Sequence, residues 1–221
     1  MRIAQVTGFL GSGKTTFLIE VAKELNTRGL KVATIVNDVG HINVDRKCME
    51  VHGINTREIS GGCICCEVQG TLTTTVTGIY MSYRPDIILV EPTGVAIPLG
   101  LRQAAAETVK KMPKMLEQSP IVTFVDALRI DKLMNNVRRL VETQIVEADA
   151  VLINKVDAVG EERLRTVTEM VRGLNPDVRL YYGSSRTGQG IKEVADLMVH
   201  GEAVVYDLTE AEDRFDKRYG E

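Results

Sequence analysis

Residues 8–15 read GFLGSGKT, from Gly8 to Thr15, and fit the pattern G-x-x-x-x-G-K-[ST]. The pattern means little without its surroundings. Here Ile3–Thr7, IAQVT, is a short β-rich run, and Thr15–Arg28 places Phe17, Leu18, Val21, Ala22 and Leu25 on one helical stripe that Gly29 stops. A strand, a glycine-rich turn and a helix in that order form a phosphate-binding loop. Glycines let backbone N–H groups converge on phosphate oxygens, and the helix N-terminus adds positive potential. The expected phosphate contacts are Gly8, Gly11, Ser12, Gly13, Lys14, Thr15 and Thr16. Lys14 is expected to reach the β- and γ-phosphates and to serve catalysis, and the Thr15 hydroxyl to bind Mg²⁺.

Outward from this loop the same alternation continues. Lys31–Asn37, Asp86–Glu91, Ile121–Asp126, Ala150–Asn154 and Val178–Tyr182 are short β-rich runs, with Asn55–Ser60 a further strand. Segments such as IILV and IVTFV are nearly continuous in apolar residues, as strands covered on both faces are. Leu101–Lys111, Glu161–Gly173 and Ile191–His200 read as helices, and Gly40–Arg57 as a polar, irregular loop. The expected fold is α/β: a P-loop NTPase with a doubly wound, mostly parallel sheet flanked by helices.

Composition is consistent with this. The chain has 221 residues, 44% hydrophobic and 26% charged, which suits one large domain, expected over residues 1–201. Glu202–Glu221 carries seven acids and three bases, so the net charge of −3 resides in an acidic tail. That balance argues against a nucleic-acid partner. No apolar run is long enough to span a bilayer, and MRIAQVT reads as a strand, not a secretory signal. Four cysteines in a chain of this length do not make a disulfide scaffold, so a reducing, cytoplasmic compartment is expected.

Two further motifs bear on the nucleotide. Asn154-Lys155-Val156-Asp157 follows the apolar run AVLI. A carboxylate at Asp157 can accept two hydrogen bonds from N1–H and the exocyclic amine of guanine, a donor pair that adenine lacks. Asn154 and the stem of Lys155 would shape the base pocket, and Ser184 and Ser185 of GSSRTG could supply backbone N–H groups. Asp86–Gly94, DIILVEPTG, is an apolar strand ending in an acid. Glu91 could hold Mg²⁺, and Gly94 lets its N–H approach a γ-phosphate.

The segment GGCICC, residues 61–66, places three thiols within four positions. Thiolates favour Zn²⁺ or Cu(I), and a buried turn of inert thiols is the plainer alternative. Cys63 and Cys65 can converge on one ion, while Cys66 is a third ligand or a packing thiol. Cys48, His41, His52, Glu67 or a second subunit could complete the set.

GFLGSGKTT, GGCICC, the EPTG segment, FVDA (Phe124–Ala127) and QIVEADAVLINKVD (Gln144–Asp157) occur in that order. Together they resemble the CobW-like GTPases, relatives of the nickel-insertion GTPases of urease and hydrogenase and of the methylmalonyl-CoA mutase chaperones. The resemblance implies GTP and GDP as ligands, Mg²⁺, a transition metal (Zn²⁺ or Co²⁺), and delivery of that metal to a client metalloprotein. It also admits a chaperone of a corrinoid enzyme, or a non-catalytic metal- or redox-sensing switch. No arginine finger is evident in cis, so hydrolysis is expected to be slow until a partner, or a second copy in a homodimer, completes the site. Two departures stand out. The chain is a short form relative to CobW-like proteins with their further C-terminal domain. Where the family usually reads N-E-F-G-E, this chain reads NDVGH, Asn37–His41. Asp38 is then the expected catalytic and Mg²⁺-linked acid beside Glu91, and His41 a softer metal ligand.

Overall fold

The structure is a computed structural model that describes residues 1–36, 55–58, 69–113 and 115–202. Strands β1 (Arg2–Thr7), β2 (Val32–Val36), β3 (Asn55–Glu58), β4 (Ile87–Glu91), β5 (Glu117–Gln118), β6 (Val122–Asp126), β7 (Ala150–Asn154) and β8 (Arg179–Gly183) alternate with helices. The helices are α1 (Lys14–Thr27), α2 (Gln69–Tyr83), α3 (Pro98–Lys111), α4 (Ile130–Val146), α5 (Glu161–Leu174) and α6 (Ile191–His200). The sheet runs in the order β3-β2-β4-β1-β6-β7-β8, and β5 pairs with the first residues of β1. Every pairing between these strands is parallel.

The alternation along each strand shows why the runs are apolar throughout. In β4, Ile87 and Leu89 face α1 and α6, while Ile88 and Val90 face α2 and α3. In β7, Ala150 and Leu152 share the α1 side, and Val151 and Ile153 pack under α4 and α5. Burial on both faces removes the polar alternation of a half-exposed strand. Phe17 of α1 meets Phe124 of β6 edge to face, with ring centres 5.4 Å apart, which fixes the first helix over the sheet centre.

The chain leaves β1 to build β2, β3 and β4 on one side, then crosses to β6, β7 and β8 on the other. This reversal at β1 opens a crevice at the carboxyl ends of the strands, where Thr7, Glu91, Asp126 and Asn154 stand side by side. The doubly wound expectation holds, and the sheet's strand pairings are wholly parallel.

Boundaries shift in places. α3 begins at Pro98, which suits a first helical position where no N–H is required. The strand expected over Asn55–Ser60 is β3, Asn55–Glu58, so the irregular loop expected over Gly40–Arg57 stops short of Asn55. α4 has no counterpart in the sequence reading. Its backbone leaves helical geometry at Val137 (φ −140°, ψ 39°), yet the segment as a whole is amphipathic at the helical period. Among the described residues, no helix is long and apolar enough to cross a membrane. Residues 203–221 of the expected acidic tail lie outside the described residues.

Candidate nucleotide-binding site

The loop after β1 is held from outside by its carbonyls. Lys14 Nζ donates to Gly8 O at 2.7 Å and Phe9 O at 3.3 Å. Arg129 Nη2 donates to Leu10 O at 3.0 Å, Lys155 Nζ to Gly11 O at 2.8 Å, and Asn154 Nδ2 to Ser12 O at 2.8 Å. Five consecutive carbonyls are thus each engaged by a side chain. No peptide bond among the described residues is cis, and in a trans unit N–H and C=O point opposite ways. The N–H groups of Gly11 and Gly13 are therefore turned away from Arg129 and Asn154. Gly13 has φ +90°, and a Cβ there would lie 2.4 Å from Asn154 Nδ2, so only glycine fits this turn.

Beside the loop lies a cavity of about 340 Å³. Its lining includes Gly11, Gly13, Lys14, Thr15 and Thr16 from the loop, Glu91 from β4, Asn154 and Lys155 after β7, and Ser185 after β8. Burial lowers the Lys14 ammonium below its ordinary value, and the Glu91 carboxylate partly offsets this. A buried cation bonded to the neutral carbonyls of Gly8 and Phe9 suits an incoming polyanion. Thr15 Oγ1 donates to Glu91 Oε1 at 2.8 Å. These are two hard oxygens at the phosphate end, the donor chemistry that Mg²⁺ takes, so the residues present fit that ion. Asn154 Oδ1 is buried with no hydrogen-bond partner among the described residues, leaving an acceptor at the base end.

Other expected residues are placed unequally. Lys155 adopts the left-handed backbone region (φ 65°), and Asp157 is exposed on the short 3₁₀ turn Val156–Ala158. Ser184 is buried, and its Oγ accepts from the N–H groups of Arg186 and Thr187 at 3.2 Å each, so it shapes the loop, whereas Ser185 faces the cavity. Gly94 lies against the phosphate loop: a Cβ there would meet Leu10 N at 2.7 Å. Asp38, His41, Cys48, His52, Cys63, Cys65, Cys66 and Glu67 lie outside the described residues. Among the described residues, no cluster of three or more His, Cys, Asp or Glu could hold a metal ion.

Three residues of the site were not singled out from the sequence. Asp126 ends β6 as Glu91 ends β4. Its Oδ2 accepts from Lys155 Nζ at 2.8 Å and Arg129 Nε at 2.7 Å, and its Oδ1 from Leu128 N at 3.0 Å. Burial would raise this carboxyl, but the bonds from Lys155 and Arg129 outweigh it and hold Asp126 below the usual value. Gln144 of α4 donates to Gly94 O at 3.2 Å and Ala96 O at 2.8 Å, bracing the turn after β4. An acid closing a buried strand, at the same edge as Glu91, was the available signal for Asp126. Arg129 and Gln144 lie at the two ends of a helix that the sequence reading did not assign.

The comparisons with known proteins agree with this geometry. Residues 2–181 match the family described as CobW/HypB/UreG, nucleotide-binding domain. Zinc-regulated GTPase metalloprotein activator 1 of Dictyostelium discoideum is 31% identical over 80% of this chain and 44% of its own length. The protein of the same name from Schizosaccharomyces pombe is 31% identical over 89% of this chain and 49% of its own length. The chain therefore spans about half the length of these relatives. Among solved structures, Zn(II)-bound YjiA GTPase from E. coli superposes with a TM-score of 0.62 at 25% identity, covering 82% of this chain and 57% of that one. The hydrogenase maturation factor HypB of Archaeoglobus fulgidus shares the fold, with a TM-score of 0.64 at 19% identity over 89% and 87% of the two chains. With a phosphate loop, a strand-end acid and an Asn-Lys-x-Asp segment set around one cavity, and a family match over residues 2–181, this chain belongs to the CobW/HypB/UreG family through its nucleotide-binding domain.

Proposed function

We propose that this chain binds and hydrolyses GTP and couples its nucleotide state to binding of a transition metal, zinc before cobalt, for delivery to a client protein. The observation that carries the reading is the buried Lys14 beside the Thr15–Glu91 hydrogen bond, in one cavity with Asn154 and Lys155. Lys14 and the loop N–H groups take the phosphates. Thr15, Glu91 and Asp38 serve the Mg²⁺ position, where the ion would neutralise charge on the transferred phosphoryl group. Asp157 reads guanine, with Ser185 beside the base. Cys63, Cys65 and Cys66, with His41 as a further donor, take the cargo metal.

The names of the relatives support zinc as cargo, since several are called zinc chaperones or zinc-regulated activators. Gly94 ties the β4 side to the phosphate loop, and loops ordered by a γ-phosphate are a common means of switching affinity. Turnover is slow until a client or a second copy contributes to the site. The test is Zn²⁺ titration of the GDP and GTP-analogue forms, with steady-state hydrolysis of GTP and ATP measured in parallel. Tighter Zn²⁺ binding in one nucleotide state, with GTP preferred over ATP, supports the reading. Equal zinc affinity in both states removes the coupling, and equal use of ATP removes the guanine assignment.

A further inference from the structure

We infer that Asp126 and Arg129 act as one positioning unit for the nucleotide, setting the phosphate loop before the ligand arrives. This rests on the proposed guanine-nucleotide reading and adds residues to it. The Asp126 carboxylate is wholly buried, whereas the Arg129 side chain is 44% exposed. One oxygen, Oδ2, accepts from both Arg129 and Lys155. Each cation then donates onward to the loop, Arg129 to Leu10 O and Lys155 to Gly11 O. The two acceptors are adjacent carbonyls at the crest of the loop.

The consequence follows from peptide geometry. Leu10 O shares its peptide unit with Gly11 N–H, and Gly11 O with Ser12 N–H. Holding both carbonyls outward fixes both amide orientations, and Arg129 does so from outside the cavity lining. Ser12 N–H closes the turn on Phe9 O at 3.1 Å, and Gly11 lines the cavity. The arginine fork suits this task, because Nε faces the carboxylate while Nη2 faces the carbonyl. Lys155 bridges the same carboxylate and a loop carbonyl with one nitrogen, whereas the planar guanidinium of Arg129 uses two nitrogens held in a fixed relation. Preorganised amides cost no reordering on binding, so losing the unit weakens every phosphate-bearing ligand alike.

The test uses the full chain with fluorescent GDP and a GTP analogue, each with Mg²⁺, in Arg129→Ala, Arg129→Lys, Asp126→Asn and the Arg129→Ala/Asp126→Asn double variant. Arg129→Ala is expected to raise Kd about tenfold for both nucleotides, by loss of charge-assisted bonds. Arg129→Lys, which keeps the charge, should recover part of the affinity that Arg129→Ala loses. The double variant should cost less than the sum of the singles, as residues acting as a unit do. Guanine-over-xanthine preference should stay as in wild type, because neither residue is assigned to the base edge. Unchanged Kd in Arg129→Ala, while wild type binds GDP tightly, overturns this inference alone. Additive costs overturn the claim of one unit. Wild type without guanine-nucleotide affinity overturns the functional reading, and this one with it. If Asp126→Asn fails to fold, the two Arg129 variants still decide.

Discussion

The two sides of the phosphate loop are built differently. On the β6–β7 side, Arg129, Lys155 and Asn154 hold three consecutive carbonyls, and Asp126 holds two of those cations in turn. On the β4 side, the links to the loop and the start of α1 include the Thr15–Glu91 hydrogen bond and the close approach of Gly94 to Leu10. The first side is a finished scaffold whose donors point at backbone. The second side holds groups that a metal ion or a γ-phosphate would recruit. A switch needs this asymmetry, because ligand can shift only the part whose contacts differ between states.

The largest effect should come from the residue that both sides share. Lys14 holds Gly8 and Phe9 carbonyls and carries the buried positive charge of the cavity. Lys14→Ala is expected to lower affinity for GTP and GDP by about a hundredfold or more, the loss of two or so charge-assisted bonds. Equilibrium binding checks it. A loss confined to GTP would mean that Lys14 belongs to the β4 side alone.

Glu91→Gln should sharpen the contrast. The amide still accepts from Thr15, but it is a weaker Mg²⁺ ligand. GTP turnover is expected to fall about tenfold or more, with half-saturation moved to higher Mg²⁺ concentration, while metal-free GDP binding holds. Magnesium titration of hydrolysis reads this directly. An equal loss of metal-free GDP binding would show that the β4 side is scaffold as well.

How far the sequence foretold this arrangement differs between the sides. The loop, the β1 and β4 strands, Glu91 and the Asn-Lys-x-Asp segment announce themselves, because strict spacing or double-sided burial leaves its mark on the residues. Helix α4 does not. Its first half is largely solvent-facing and Val137 interrupts its backbone, so few apolar positions mark it, although the segment as a whole is long and amphipathic. Yet its ends serve both sides, Arg129 just before its first residue and Gln144 in its last turn. Contacts between residues more than a hundred positions apart, such as Arg129 with Leu10, follow from the sheet order, which periodicity alone does not supply. Ser184 shows the converse: the motif was legible, but the Ser184 N–H donates to Gln189 O at 3.0 Å inside the turn, and Ser185 lines the cavity.

Proton linkage gives a smaller effect that also separates the sides. Lys14 is lowered by burial without ligand, and phosphate should restore its proton. In the window between the lowered value and 10.5, the unfolded chain binds more protons than the nucleotide-free fold. Stability of that fold therefore rises with pH there, while nucleotide affinity falls, by at most about tenfold per pH unit. Asp126 is shifted the other way. A lowered carboxyl gives stability that is present above its unfolded value, near 3.8, and is lost as pH falls through the folded value. The Asp126 carboxylate should stay ionised from neutral to alkaline pH. Calorimetric titration of GDP in buffers of different ionisation enthalpy should show proton uptake that Lys14→Ala abolishes.

The smallest expected effect concerns the brace behind the β4 side. Glu147, just after α4, accepts from Leu99 N at 2.9 Å at the start of α3. Burial raises its carboxyl, only partly offset by the Leu99 N–H and the Arg102 guanidinium. For a raised acid the folded chain holds its proton longer than the unfolded chain, whose value is near 4.5. Its favourable linkage is present below that value and is lost as pH rises through the folded one. At neutral pH the buried charge is a net cost, and Glu147→Gln removes it while keeping an oxygen for Leu99 N–H. The variant is expected to gain about 1 kcal/mol or less at pH 7, with the gain shrinking as pH falls toward 4.5. Urea unfolding at pH 7 and pH 5 measures it. A loss of stability at pH 7 would instead show that attraction to Arg102 outweighs desolvation, and that the turn after β4 is held by charge as firmly as the crest of the phosphate loop.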